Sequence, residues 1–222
     1  MKTTAIIVAA GTGSRFNSQI PKQFLDILGK PVIVYSIERF AEAPSVDDLI
    51  VVVASEHATR LAGVHVSKPI RIVTGGATRA ESVYNGLAAV ENDVEIIAVH
   101  DGARPFISVD EIERTIAKAR ETGAACLVAA VTDTIKTISG DEISGTLDRD
   151  KLRRALTPQV FKTEVLRRAF ETAELTEAVT DECYLVEKLG HPIVFVEGSA
   201  RNIKITVAED LAIGEANVKS VL

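Results

Sequence analysis

The chain has 222 residues, 46% of them hydrophobic, enough for one substantial core and better suited to a single domain over 1–222 than to two. A net charge of -6 argues against general nucleic-acid binding, though not against small anionic substrates. Cys126 and Cys183 are the only cysteines, they lie far apart in sequence, and no Cys/His spacing suits zinc, so buried thiols are expected rather than a disulfide or a metal site. No linker, low-complexity tract or solenoid-period repeat interrupts the chain. Lys2, Thr3 and Thr4 precede an apolar run of only about five residues, too short for a signal peptide or a membrane span. A cytoplasmic protein without a membrane partner is expected.

Residues 5–9, Ala-Ile-Ile-Val-Ala, form an apolar run suited to a strand buried on both faces of a parallel sheet. The chain then turns through Gly11 and Gly13, which let a ligand approach the backbone and let successive N–H groups form a concave anion site. Arg15 and Lys22 follow, with Pro21 stiffening the loop, and together they suit a polyphosphate. The spelling excludes a Walker loop, which needs G-x-x-x-x-G-K-[ST], and Phe16 stands where the dinucleotide fingerprint has its third glycine.

Further along, the spacing predicts a helix over 31–40, a strand over 49–54, a helix over 55–61 and a short strand over 70–73 that ends at Gly75-Gly76. A helix over 78–90 and a strand over 95–99 lead to His100-Asp101-Gly102-Ala103-Arg104-Pro105. Ser108 and Glu111 spell a capping box for a helix over 108–122, and 124–131 reads as another buried strand. Residues 133–149 read as a hairpin turning at Ser139-Gly140-Asp141, poor in large apolar residues, either a solvated excursion or an arm that leans on a partner subunit. Helices over 163–173 and 181–189, a strand over 193–196 and a helix over 207–218 complete the chain. This alternation describes a three-layer α/β/α, Rossmann-like fold with a mostly parallel sheet and a protruding β-hairpin arm. Ligands in such sheets bind at the carboxyl ends of strands, so the loops 11–22, 75–82 and 101–104 should share one rim and gather their basic residues there.

Gly11-Thr12-Gly13-Ser14-Arg15 with Pro21-Lys22-Gln23-Phe24, then the motif at 100–105, Leu156-Thr157-Pro158-Gln159, and Asn202-Ile203-Lys204-Ile205-Thr206 resemble, in order and spacing, the sugar-phosphate nucleotidyltransferases. Most closely they resemble the 2-C-methyl-D-erythritol 4-phosphate cytidylyltransferases of isoprenoid biosynthesis, and the resemblance covers essentially the whole chain. It implies transfer of a cytidylyl group from CTP to a sugar phosphate, with pyrophosphate leaving. It also implies a homodimer with shared active sites, in which the hairpin 133–149 is a dimerisation arm.

The same resemblance assigns roles. Arg15 and Lys22 would stabilise the reacting phosphorus and the leaving oxygens, and Asp101 would help to hold Mg2+. Lys204, Arg104, Thr157 and Thr180 would orient the sugar phosphate, with Thr134 and Arg149 reaching it from the partner subunit; Arg149 and Lys204 count among the catalytic residues. Ala9, Ala10, Gly11, Gly13, Gly76 and Ser82 would form the pocket for cytosine and ribose, with Arg79 either joining it or bracing its loop. His100 reads as structural, because a histidine closing a buried strand is more often a core residue than a base. Ala77 departs from the acidic residue common in relatives, Gly102 from the commoner Ala, and the run after Thr180-Asp181-Glu182 departs as well, which leaves sugar specificity open. A ribitol-5-phosphate cytidylyltransferase and a nucleotide-binding protein without turnover are the alternatives.

Overall fold

In a computed structural model, residues 1–11, 20–173 and 179–219 are described. The chain runs β1 Lys2–Ala9, β2 Asp26–Ile27, β3 Lys30–Pro31, α1 Val32–Glu42, β4 Asp48–Val53, β5 Ile70–Thr74, α2 Arg79–Ala88 and β6 Val94–Asp101. It continues with α3 Val109–Thr122, β7 Ala124–Ala130, β8 Lys136–Ser139, β9 Glu142–Thr146, β10 Arg153–Lys162, α4 Thr163–Thr172, α5 Glu182–Lys188, β11 Val194–Glu197 and α6 Glu209–Lys219. Seven strands form one sheet in the order β11-β7-β10-β6-β1-β4-β5. β1 pairs in parallel with β4 and β6, β4 with β5, and β7 with β11, whereas β10 lies antiparallel between β6 and β7. The α/β architecture expected from the alternation is thus present, with one antiparallel strand inside it.

The pleat explains the layers, because successive residues of a strand face opposite sides of the sheet. On β1, Ala5, Ile7 and Ala9 join Ile33, Ile37 and Phe40 of α1 and Ile112 and Ile116 of α3 in one core. Ile6 joins Val83 and Leu87 of α2, Phe161 of β10 and Leu166 of α4 in the other. With both faces covered, β1, β4, β6 and β7 have to be apolar throughout, and it was this continuous character that made them readable.

Three elements differ from expectation. Residues Ser55–Leu61 form a 3-10 helix rather than an α-helix, and β2 and β3 form a small hairpin that no apolar run announced. β10 carries Pro158 in its middle, where proline cannot donate to a ladder; its pairing with β7 shifts register between Ala155 and Gln159 to accommodate it, and the Thr157–Pro158 peptide is cis. The hairpin β8/β9 forms as expected, turning at Gly140 with φ 59°, and exposes Ile138, Ile143 and Leu147. No helix among the described residues is long and apolar enough to cross a membrane.

Candidate active site

The carboxyl ends of β1, β4, β5 and β6 open onto a cavity of about 490 Å³. Two of its walls come from loops that nearly touch. A Cβ on Gly75 would lie 2.2 Å from the Cβ of Ala10, so the loops after β5 and β1 approach this closely only because residue 75 is glycine. The loop after β1 is also pinned from within: buried Gln23 donates its Nε2 to the carbonyls of Ala9 at 2.6 Å and Gly11 at 3.0 Å. Lys22 precedes that clamp and lines the cavity with Ala9, Ala10 and Gly11. Gly13 and Arg15 lie outside the described residues.

The loop after β5 leads into α2 through a capping box. The Thr78 hydroxyl accepts from the Glu81 N–H, and the Glu81 carboxylate accepts in turn from the N–H groups of Thr78 and Ala77. Ser82 is buried, accepting at its hydroxyl from the Gly76 N–H at 3.1 Å and donating to the Thr78 carbonyl at 2.9 Å. Gly75 donates to Val53. Every N–H from Gly75 to Thr78 is therefore spent inside the protein, so the wall made by Gly76, Ala77 and Thr78 has no backbone N–H left for a ligand. The Ala77 amide finds its acceptor four residues on, in Glu81, so this loop is held without an acidic side chain at position 77.

Asp101, at the end of β6, stands at the centre of the charge. Its Oδ1 accepts from Arg79 Nε at 3.0 Å, and its Oδ2 from Lys204 Nζ at 2.9 Å and Arg104 Nε at 3.5 Å. Burial alone would raise its pKa, but Arg79, then Lys204 and Arg104 outweigh burial and hold the carboxyl well below the usual range. Arg79 in turn pairs with Glu182 through both terminal nitrogens, at 2.6 and 3.0 Å. Burial would lower its pKa; Glu182 and Asp101 more than compensate and raise it. Lys204 reaches Asp101 because the Ile205 N–H bonds the Ala103 carbonyl at 2.8 Å, laying the segment against the β6 loop.

Behind Asp101 runs a directional chain. His100 Nε2 faces the Arg104 carbonyl at 3.1 Å, and since a carbonyl only accepts, Nε2 carries the proton and Nδ1 is the acceptor. The Thr157 hydroxyl donates to Nδ1 at 3.0 Å and accepts from the Asp101 N–H at 3.1 Å. His100 packs on Phe40, 4.9 Å between ring centroids, and burial pushes its pKa down to about 4. Both nitrogens are occupied and the ring is neutral, as a structural histidine requires. Thr157, expected at the sugar phosphate, is itself buried, with its hydroxyl engaged between the His100 ring and the Asp101 N–H.

The fold thus gathers Ala9, Ala10, Gly11, Lys22, Gly76 and Ser82 around one cavity, together with Arg79, Asp101 and Lys204. Arg104 stands beside Asp101, its Nη1 bonded to the Asn202 carbonyl at 3.0 Å. Thr180 is exposed just before α5. Thr134 and Arg149 are exposed on the arm and its base, away from this wall, and Arg149 donates to the Thr132 carbonyl at 2.8 Å. Sequence reasoning gave no role to Gln23 or Glu182; the position of Gln23 inside the Pro-Lys-Gln-Phe run was the only available signal for the first. Cys126 and Cys183 are buried and free, as expected, but the fold brings them together: contact with Cys126, then burial, holds the Cys183 thiol above its ordinary range. Among the described residues no three His, Cys, Asp or Glu side chains cluster as a metal site.

A rim of cations at strand ends suits a ligand that carries phosphates. Comparison with known proteins agrees. The family model for 2-C-methyl-D-erythritol 4-phosphate cytidylyltransferase matches residues 3–220. The enzyme of that name from Endomicrobium trichonymphae is 44% identical over 221 residues, covering 99% of this chain and 100% of its own. Among solved structures, the 4-diphosphocytidyl-2C-methyl-D-erythritol synthase of Anaerococcus prevotii superposes with a TM-score of 0.87 at 28% identity, covering 98% of this chain and 96% of that one. The Francisella tularensis 2-C-methyl-D-erythritol 4-phosphate cytidylyltransferase gives 0.83 at 30% identity over 98% and 100%. With the match running from β1 to α6 and the site built at the strand ends where such a fold binds its ligands, this chain belongs to the 2-C-methyl-D-erythritol 4-phosphate cytidylyltransferase family.

Proposed function

We propose that this chain transfers a cytidylyl group from CTP to 2-C-methyl-D-erythritol 4-phosphate. An oxygen of the acceptor phosphate attacks the α-phosphorus of CTP, the new P–O bond forms as the α–β bridging bond breaks, and pyrophosphate leaves. No general base is needed, because a phosphate monoester has its second pKa near about 6 and is largely dianionic at neutral pH. The neutral, enclosed His100 accords with this. What the reaction does need is fixed positive charge where two polyanions meet. Lys22, and by family resemblance Arg15, face the triphosphate, while Lys204 and Arg104 face the acceptor phosphate.

The observation that carries the choice of nucleotide is the amide-spent loop 75–78. With its N–H groups used internally, it has none left to donate to the carbonyl that uracil carries where cytosine has its exocyclic amine, and this favours cytosine. The names of the matched relatives support methylerythritol phosphate as acceptor over ribitol 5-phosphate, and the retention of Lys22, Asp101 and Lys204 on one cavity speaks for turnover over mere nucleotide binding.

Magnesium fits this wall as part of a nucleotide complex. Asp101 is the one carboxylate among the described residues lining the cavity; its Oδ2 is engaged by Lys204 and Arg104, so Oδ1, which of the three cations meets Arg79 alone, is the oxygen it would share with the ion, and the phosphates would supply most of the rest. When bound, the ion offsets charge on the triphosphate. The arm is read as crossing to a second copy of the chain, which supports a homodimer in which Thr134 and Arg149 serve the partner's site; the exposed Ile138 and Ile143 support this. The functional reading is tested by pyrophosphate release from CTP and from UTP, each offered methylerythritol phosphate and ribitol phosphate. Turnover is expected with CTP and methylerythritol phosphate, and at least about tenfold less with UTP. Equal rates with UTP, or preference for ribitol phosphate, would overturn the reading.

A further inference from the structure

Glu182 is fully buried, and the mechanism above gives it no part. Both of its oxygens are committed to Arg79, at 2.6 and 3.0 Å. Its place is fixed from both sides by Gln159 of β10, whose Nε2 donates to Asp181 Oδ2 at 2.8 Å and whose Oε1 accepts from the Cys183 N–H at 2.9 Å. Asp181 also caps α5 by accepting from the Tyr184 N–H at 2.9 Å. The carboxylate of Glu182 is therefore presented from a helix start that cannot drift relative to the sheet.

Stability alone does not account for such a group, since a buried ion pair gains little over apolar residues of the same volume once desolvation is counted. Its effect on the neighbouring charges is more specific. Two carboxylates, Glu182 and Asp101, are shared by three cations, Arg79, Arg104 and Lys204. A guanidinium prefers to close on one carboxylate with two parallel bonds. Arg79 does so on Glu182, and of the three N–H groups that remain it gives Asp101 only its Nε, on Oδ1. Asp101 Oδ2 is thereby left to Lys204 and Arg104. With no charge at position 182, the carboxylate still within reach of the Arg79 fork is Asp101, and two-point closure would take the oxygen that Lys204 and Arg104 use.

We propose that Glu182 is a positioning residue: by occupying the Arg79 fork it reserves Asp101 Oδ2 for Lys204 and Arg104, and so sets where these two cations meet the acceptor phosphate. The inference rests on the assignment of Lys204 and Arg104 to that phosphate under Proposed function. It predicts an effect on one substrate and a dependence on Arg79, neither of which general loosening of the fold would produce.

The test is steady-state pyrophosphate release by the full chain and by Glu182→Gln, Arg79→Gln and the double variant, with thermal unfolding of each. Glu182→Gln should raise KM for methylerythritol phosphate about tenfold while KM for CTP stays within about twofold. In the Arg79→Gln background the same substitution should change KM for the sugar phosphate by less than about twofold, because no fork remains to be redirected. An unchanged KM in Glu182→Gln, or an equal rise with and without Arg79, overturns the positioning role. If Glu182→Gln does not fold, Glu182→Asp carries the test: charge is kept but the reach is one methylene shorter, so KM for the sugar phosphate should still rise, and an unchanged value overturns the proposal. Failure of the native chain to release pyrophosphate with methylerythritol phosphate would instead sink the functional reading itself, and is seen in the unsubstituted control.

Discussion

Lys22 sits one residue before the buried Gln23, whose amide ties the carbonyls of Ala9 and Gly11, so its backbone is fixed to the end of β1 while its side chain lines the cavity. An ammonium carried on that base can offset charge as it moves onto the leaving pyrophosphate. Lys22→Ala is therefore expected to lower kcat by about a hundredfold, the scale for one strong electrostatic stabiliser, with a smaller change in KM for CTP. Steady-state kinetics with saturating methylerythritol phosphate measures both, and near-normal kcat with only a raised KM would assign Lys22 to ground-state binding instead. The neighbouring charges obey a stricter accounting. Arg79 was expected either to join the nucleotide pocket or to brace its loop; it lines the cavity, and its pairing with Glu182 and Asp101 occupies three of its N–H groups. The role of Glu182 was not legible in the sequence for a physical reason: an acidic residue opening a helix reads as a complement to the helix dipole, and only the fold brings it opposite residue 79.

At the scale of elements, the cavity exists because two loops, one after β1 and one after β5, pass closer than side chains allow. Gly75→Ala would place a Cβ 2.2 Å from that of Ala10 and 2.9 Å from the Ser82 hydroxyl, so the loops must separate. Overpacking of this kind costs about 1–3 kcal/mol, and the displaced loop is the one whose Gly76, Ala77 and Thr78 line the cavity. The expected outcome is a lower Tm together with a KM for CTP raised at least about fivefold. A variant with native Tm and native KM would show that the loops have room to spare. The elements that frame this cavity were largely readable, because β1, β4 and β6 are covered on both faces and so had to be continuous apolar runs. β10 was not readable. Pro158 argues against a central strand on local rules, and only the register shift against β7, a non-local feature, makes room for it. The cap of α3 was legible because a capping box is entirely local, Ser108 to Glu111.

For the whole molecule, the chain from Asp101 through Thr157 to His100 and Arg104 links the site to global stability. The His100 pKa is held at about 4, below its ordinary 6.5, so the unfolded chain binds the extra proton throughout that window. Stability should therefore fall as pH drops from about 6.5 to about 4, by up to roughly 3 kcal/mol from this residue, and His100→Asn should flatten that part of the Tm–pH curve; parallel curves for the two proteins would discount it. The second whole-molecule property is assembly. The hairpin β8/β9 leaves Ile138 and Ile143 exposed, and a two-stranded ribbon is marginal on its own, so a partner that covers it is expected. If the arm crosses a two-fold axis and delivers Arg149 to the other chain's cavity, each site draws Lys22 from one chain and Arg149 from the other. Lys22→Ala and Arg149→Ala would then each be nearly inactive alone, yet a mixed dimer would hold one site with both residues native and one with neither. Random re-pairing of equal amounts makes half of the dimers mixed, and half of the sites in those are intact, so activity should return to about a quarter of the native value. Pyrophosphate release after co-refolding the two variants measures this, and activity no greater than the average of the two separate variants would mean that each site is built within a single chain.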